Sequence, residues 1–223
     1  MSGRSIRAKL SGVRALSTIL IALALAHPAG AQVFGASERT GRSLWVSAGT
    51  GWAQGGDLND GVSQSTWSLG QYSPLRASLE FERRGQSLGF AVSHATVPLT
   101  YNGPGCAQCD ADIDALQMMG TVRIGGGGPG QGFHQVLEFG GGVTQWSNLT
   151  SRGPGTIAPM TADNDLTFQI GYGFGLNLGE SFAVTIVQDV STSIHQKDGL
   201  SAGESRTLTQ RTTRLGARLR LGR

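Results

Sequence analysis

Period-two alternation of apolar and polar residues is the feature that most constrains this chain. Between Asp165 and Leu178, one face holds Leu166, Phe168, Ile170, Tyr172, Phe174, Leu176 and Leu178. The other holds Asp165, Thr167, Gln169, Gly171, Gly173, Gly175 and Asn177. Successive side chains of a strand point to opposite sides, so this segment reads as one amphipathic strand. The same pattern predicts eight strands, over 43–53, 74–83, 87–98, 112–124, 133–146, 165–178, 181–195 and 207–221. The connections alternate in length. Residues 84–86, the glycine tract 125–132 and Gly179-Glu180 are short turns, whereas 54–73, 99–111, 147–164 and 196–206 are long. Short turns at one end and long loops at the other describe an all-β, eight-stranded antiparallel up-and-down barrel, and strands of this length suffice to cross a bilayer at a tilt.

Charge enters the argument through the N-terminus. The chain carries 18 Lys and Arg against 15 Asp and Glu, but Arg4, Arg7, Lys9 and Arg14 precede an apolar run at 15–26 and the small-residue pattern Ala29-Gly30-Ala31. This is the layout of a secretory signal, and the run is too short to span a bilayer as a helix. The expected organisation is a cleaved signal over 1–31, a lead over 32–42 and the barrel over 43–223. Without the signal the net charge is −1, which gives no bulk attraction to nucleic acid.

Signal, strand count and loop rhythm together resemble the small eight-stranded outer-membrane barrels of Gram-negative bacteria, of the OmpX and OmpA membrane-domain type. The resemblance implies residence in the cell outer membrane, contact with its lipid, insertion by the barrel assembly machinery, and a monomer. It departs at the C-terminus, which ends Leu219-Arg220-Leu221-Gly222-Arg223 where such proteins usually end in an aromatic residue.

The polar strand faces indicate which side is inside. They carry Arg76, Glu80 and Glu82; Gln117, Thr121 and Arg123; His134, Glu138, Gly140 and Gly142; Asp189; and Arg214, Gly216, Arg218 and Arg220. Opposite charges interleaved with glycine suit a narrow lumen, because glycine on one strand makes room for an arginine from another. An ion-pair network of Arg76, Glu80, Glu82, Arg123, Glu138, Asp189, Arg214, Arg218 and Arg220 is expected there, with Glu80, Arg123, Glu138 and Arg218 in one layer near the short turns. Glycine, 35 of 223 residues, divides between this face and the turns. The rival reading is a soluble, exported barrel of lipocalin type, with the apolar face inside and an apolar ligand held there.

The motifs with chemical connotations read as structure. Gly85-Gln86-Ser87-Leu88-Gly89 has nucleophile-elbow spacing but leads into a strand, not a helix. Gly125, Gly127 and Gly130 match a phosphate-loop spacing, but Pro129 and a strand follow. Cys106 and Cys109 are expected to form a small loop disulfide in an exported chain. Ser93, His94, Asp189 and His195 are the nearest approach to a catalytic set near the long-loop end, for an enzyme acting on membrane lipid. No motif supports it, so neither catalysis nor a metal or cofactor is expected. Trp45, Trp52, Trp67, Tyr72, Tyr101 and Trp146 lie near predicted strand ends or loop edges, where an interfacial girdle would use them and ordinary packing would equally account for each. The anticipated role is structural, or the binding of an external partner through loops 54–73 and 147–164.

Overall fold

The computed structural model describes residues 42–60, 64–83, 85–125, 132–153, 157, 163–195 and 206–221. The signal segment, the lead up to residue 41, most of the 125–132 tract and the connection around Lys197 lie outside the described residues. Ten strands run in chain order: β1 Arg42–Gln54, β2 Asp57–Asp60, β3 Ser65–Leu69, β4 Leu75–Arg83, β5 Gln86–Gly103, β6 Cys106–Ile124, β7 Phe133–Ser151, β8 Asp163–Asn177, β9 Phe182–His195 and β10 Arg206–Leu221. Eight of them, β1, β4, β5, β6, β7, β8, β9 and β10, pair with successive neighbours, all antiparallel. Pairing of β5 with β6 joins the two halves, and pairing of β10 with β1 closes the ring. Gly85, Gly125 and Gly179 take positive φ at the short-turn end, where a side chain would be strained.

The wall is apolar outside and polar inside through its lower part, toward the short turns. Leu75, Phe81, Leu88, Phe90, Phe139, Phe168, Ile170, Ile186 and Leu219 are all exposed, while Glu80, Arg123, Glu138, Asp189 and Arg218 are buried. This is the reverse of a lipocalin-type barrel, and the soluble alternative fails on it. So large a contiguous apolar surface is not compatible with water.

Two of the predicted long connections are corrected. Residues 54–73 contain the hairpin β2–β3, whose outer strand pairs with the upper part of β5 (Thr66↔Asn102 to Leu69↔Leu99). Residues 99–111 are mostly strand: β5 and β6 continue past the expected boundary to a turn at Pro104-Gly105. The cause is a phase change in the alternation. On β5 the outward residues are apolar at Leu88, Phe90 and Val92. From Ala95 onward the inward residues Ala95, Val97, Leu99 and Tyr101 are the apolar ones, and Thr96 and Thr100 face out. β6 mirrors this, with Ala111, Ile113 and Ala115 buried while Asp110, Asp112 and Asp114 lie on the other face. A strand whose apolar face switches sides reads in sequence as a strand that stops.

The upper tier therefore has an ordinary hydrophobic core. Leu58, Trp67, Leu69, Val97, Leu99, Tyr101, Ile113, Trp146 and Leu208 pack inside it. Outside, polar pairs such as Thr66–Asn59, Ser68–Asp57 and Thr96–Asp114 line the wall. The level at which the phase switches, near His94 and Leu116, marks the upper edge of the apolar belt.

Candidate functional site: a layered lumen

The lumen is organised in tiers along its axis. In the lowest, Arg218 Nη2 lies 2.7 Å from Glu80 Oε2 and 3.5 Å from Glu82 Oε2, and its guanidinium carbon is 4.8 Å from the Trp45 ring centre. Arg123 Nη2 is 2.9 Å from Glu138 Oε2 and 3.8 Å from Glu80 Oε1. One inward step higher, Arg76 and Arg214 each place an Nη2 2.9 Å from Glu138 Oε1. Arg214 also donates Nε and Nη2 to the two Asp189 oxygens, at 2.9 and 3.2 Å. Glu138, 2% exposed, thus receives three guanidiniums from three strands. Charge-assisted, multidentate pairing offsets the desolvation of ions in so confined a space.

Glycine supplies the room. A Cβ at Gly171 would run into the Asp189 carboxylate, one at Gly175 into the His134 ring, and one at Gly89 would come within 2.8 Å of Glu80 Cγ. Eight of the nine arginines and acids anticipated from sequence meet in these two tiers. Arg220 does not: it is half-buried and makes no ion pair among the described residues. Its register partner is Trp45, whose own partner on the far side is Glu80, so the indole stands between the two charges.

Above the ions is a small cavity of about 60 Å³, lined by both polar and apolar side chains. Beside it runs a chain of side-chain hydrogen bonds, Ser93 to Gln117 (3.3 Å), Gln117 to Thr144 (3.4 Å), Thr144 to Thr167 and Thr167 to Ser193 (both 2.8 Å). Higher still, Trp146 Nε1 donates to Asp165 Oδ2 at 2.7 Å, and His195 Nδ1 is 2.9 Å from Asp165 Oδ1 and 3.6 Å from Asp163 Oδ2. The Trp67 ring lies 5.7 Å from His195. Asp163, Asp165 and His195 bring one ligand atom each within 4.8 Å of one another, a set chemically able to hold a divalent cation. Sequence reasoning missed this cluster: Asp163 lay in a predicted loop and Asp165 was one polar residue among many. The apolar core of the upper tier closes the stack.

The residues weighed as a catalytic set are not brought together. His94 is exposed on the outer wall and His195 is buried inside, so the two do not converge; Asp189 is committed to Arg214. Nor do the aromatics form a girdle. Trp45, Trp67, Tyr101 and Trp146 are buried inside, and among the four tryptophans only Trp52, 61% exposed, faces outward. Their indoles need hydrogen-bond acceptors, which the lumen provides: Trp45 and Trp67 donate to Ser43 and Ser65. Cys106 and Cys109 are joined by a disulfide beside the β5–β6 turn, with Cα atoms 5.9 Å apart.

At the outer wall the polar contacts are ordinary surface ones. Arg152 forms a two-pronged pair with Asp112, and its hydrogen bond, followed by its charge, holds the Asp112 carboxyl below the usual carboxylate range. Asn148 and Thr96 do the same for Asp114 through hydrogen bonds.

No family model matches the chain, and no curated protein matches it. Solved structures do. Neisserial surface protein A is 8% identical over 80% of this chain and 98% of its own, with a TM-score of 0.53. The N-terminal β-barrel domain of Pseudomonas aeruginosa OprF is 12% identical over 80% and 97%, with a TM-score of 0.43. Outer membrane protein AlkL, determined in DMPC lipid bilayers, is 12% identical over 88% and 96%, with a TM-score of 0.46. The fold is that of the small eight-stranded outer-membrane barrels.

Proposed function

We propose that this chain is an integral protein of the bacterial outer membrane, exported by a signal over 1–31 and inserted as a monomer by the barrel assembly machinery. Its lumen is closed by ion pairs and capped by an apolar core, so it conducts no ions. Its outward role is structural or the binding of an external partner, through the tier and loops that rise above the belt. The observation that carries this reading is the switch of the apolar face from outside to inside near His94. Below the switch the exterior suits hydrocarbon; above it, the exterior suits water.

The reading of the eight charged residues that meet there as a lumen network belongs to the same proposal. Ion pairs spanning several strands make a barrel rigid without an apolar interior, and they leave no continuous water path. The lipid-modifying alternative has no comparable support, since the two candidate histidines stand on opposite faces of the wall.

Membrane fractionation with gel mobility before and after boiling, followed by planar-bilayer recording, tests the proposal. A membrane-bound protein whose mobility changes on boiling and which gives no discrete conductance is the expected result. A protein that is soluble without detergent, or one that conducts steadily, contradicts it.

A further inference from the structure

One cluster of ionisable side chains takes no part in the ion-pair tiers. β8 opens with Asp163 and Asp165, two positions apart on its inward face, and β9 ends with His195. Leu166 is the register partner of Ile194, so the next antiparallel pair sets Asp165 across from His195. Facing side chains on one side of a sheet are close enough to share a ligand. His195 Nδ1 is 2.9 Å from Asp165 Oδ1 and 3.6 Å from Asp163 Oδ2. One ligand atom from each of the three residues lies within 4.8 Å of the other two. Zinc bonds to nitrogen and oxygen of about 2.0–2.2 Å set tetrahedral ligand atoms roughly 3.4 Å apart. The two distances to the imidazole bracket that value.

The surroundings suit a bound ion. Asp165 and His195 are buried, whereas the Asp163 side chain is 17% exposed. Two deep donors would hold the ion, and the more open carboxylate gives it a way in and leaves a position for water. Trp146 Nε1 donates to Asp165 Oδ2, which turns Oδ1 toward His195. Fixing one oxygen of a ligating carboxylate in this way is the ordinary outer support of a metal site. Two carboxylates and a neutral imidazole carry two negative charges, which a divalent cation balances. The imidazole nitrogen and the small number of donors select a transition metal of the zinc kind, because calcium and magnesium take six or more ligands, nearly all oxygen.

We propose that Asp163, Asp165 and His195 bind a zinc ion at the top of the lumen, through Asp163 Oδ2, Asp165 Oδ1 and His195 Nδ1, with water as the fourth ligand. The ion ties the upper end of β8 to that of β9. The site needs only the closed ring of strands, so it stands apart from the membrane reading above.

The test uses the exported chain without a histidine tag, refolded in detergent and dialysed against EDTA. Zn²⁺ is followed by titration calorimetry and Co²⁺ by its visible absorption. One equivalent of Zn²⁺ at micromolar or tighter affinity is expected, with a Co²⁺ spectrum of four-coordinate intensity. Asp165→Asn and His195→Gln should each abolish both signals. Asp163→Asn, at the most open ligand, should weaken binding on the order of tenfold or more, and it keeps the test decisive should the buried variants fail to refold. His94→Gln, on the outer wall, should bind as the parent does. Saturating Zn²⁺ should raise the unfolding midpoint of the parent, since an ion held only by the folded state stabilises it, and should raise that of Asp163→Asn less. Absence of Zn²⁺ binding, parent-like binding by Asp163→Asn, loss of binding in His94→Gln, or displacement of Zn²⁺ by equimolar Ca²⁺ each overturns the proposal.

Discussion

At the residue scale, the ions of the lumen are coupled through few atoms, and their loss should be felt. Arg218 lies within 3.5 Å of both Glu80 and Glu82. Arg218→Ala leaves two buried carboxylates short of a partner, which costs about 3–5 kcal/mol. Urea unfolding from lipid vesicles should show a clear drop in midpoint, whereas Arg152→Ala, at a solvent-facing pair, should move it far less; equal midpoints would contradict the network. Gly171→Ala should also destabilise, by roughly 1–3 kcal/mol of overpacking against Asp189, and a neutral result would mean that the lumen is looser than described. The Asp112–Arg152 pair has a pH signature of its own. Because the folded Asp112 carboxyl titrates below its ordinary value, the pair's contribution is present above the ordinary carboxylate range and is lost as pH falls through the depressed value. Arg152→Ala should return Asp112 toward the ordinary value in an NMR titration. Which residues share the polar face of each strand was legible from alternation, and the mix of charge and glycine on it suggested the inside; that Arg218 meets Glu80 across 138 positions is a fact of the fold that the pattern did not specify. Nor was the position of Arg220 legible, because nothing in the pattern says that Trp45 turns into the lumen rather than toward the interface.

At the element scale, the eight ring strands overlap the eight expected from sequence, since each keeps one apolar face along most of its length. The ends were harder. β5 and β6 run to Gly103 and from Cys106, well past the expected limits of 98 and 112, because their apolar face changes sides. The hairpin β2–β3 was hidden for a related reason: strands of four and five residues carry too few alternations to be told from a loop. Both departures belong to one tier, held by its own core. Trp67→Ala removes the largest side chain that β3 contributes and should cost that tier about 3–5 kcal/mol. Hydrogen exchange should then quicken at β2, β3 and the upper part of β5, while amides of β8 and β9 in the belt keep their protection. Uniform loss of protection would show that the tiers are one cooperative unit.

At the scale of the whole molecule, one chain satisfies three environments in sequence. A hydrocarbon-facing belt surrounds an ionic interior, and above it a water-facing wall surrounds an apolar interior. Eight strands make the interior narrow enough for side chains to fill, which is why the same wall can seal itself with charges in one half and with tryptophan and leucine in the other. The central claim is the level of the switch, and site-directed nitroxide labelling in bilayers measures it directly. Labels at Phe90, Phe168 and Leu219 should relax with lipid-dissolved oxygen, and labels at Thr100 and Asp110 with a water-soluble nickel chelate. The crossover should fall near His94. Labels at Phe168 and Leu219 that respond to the chelate as strongly as those at Thr100 and Asp110 would contradict the account.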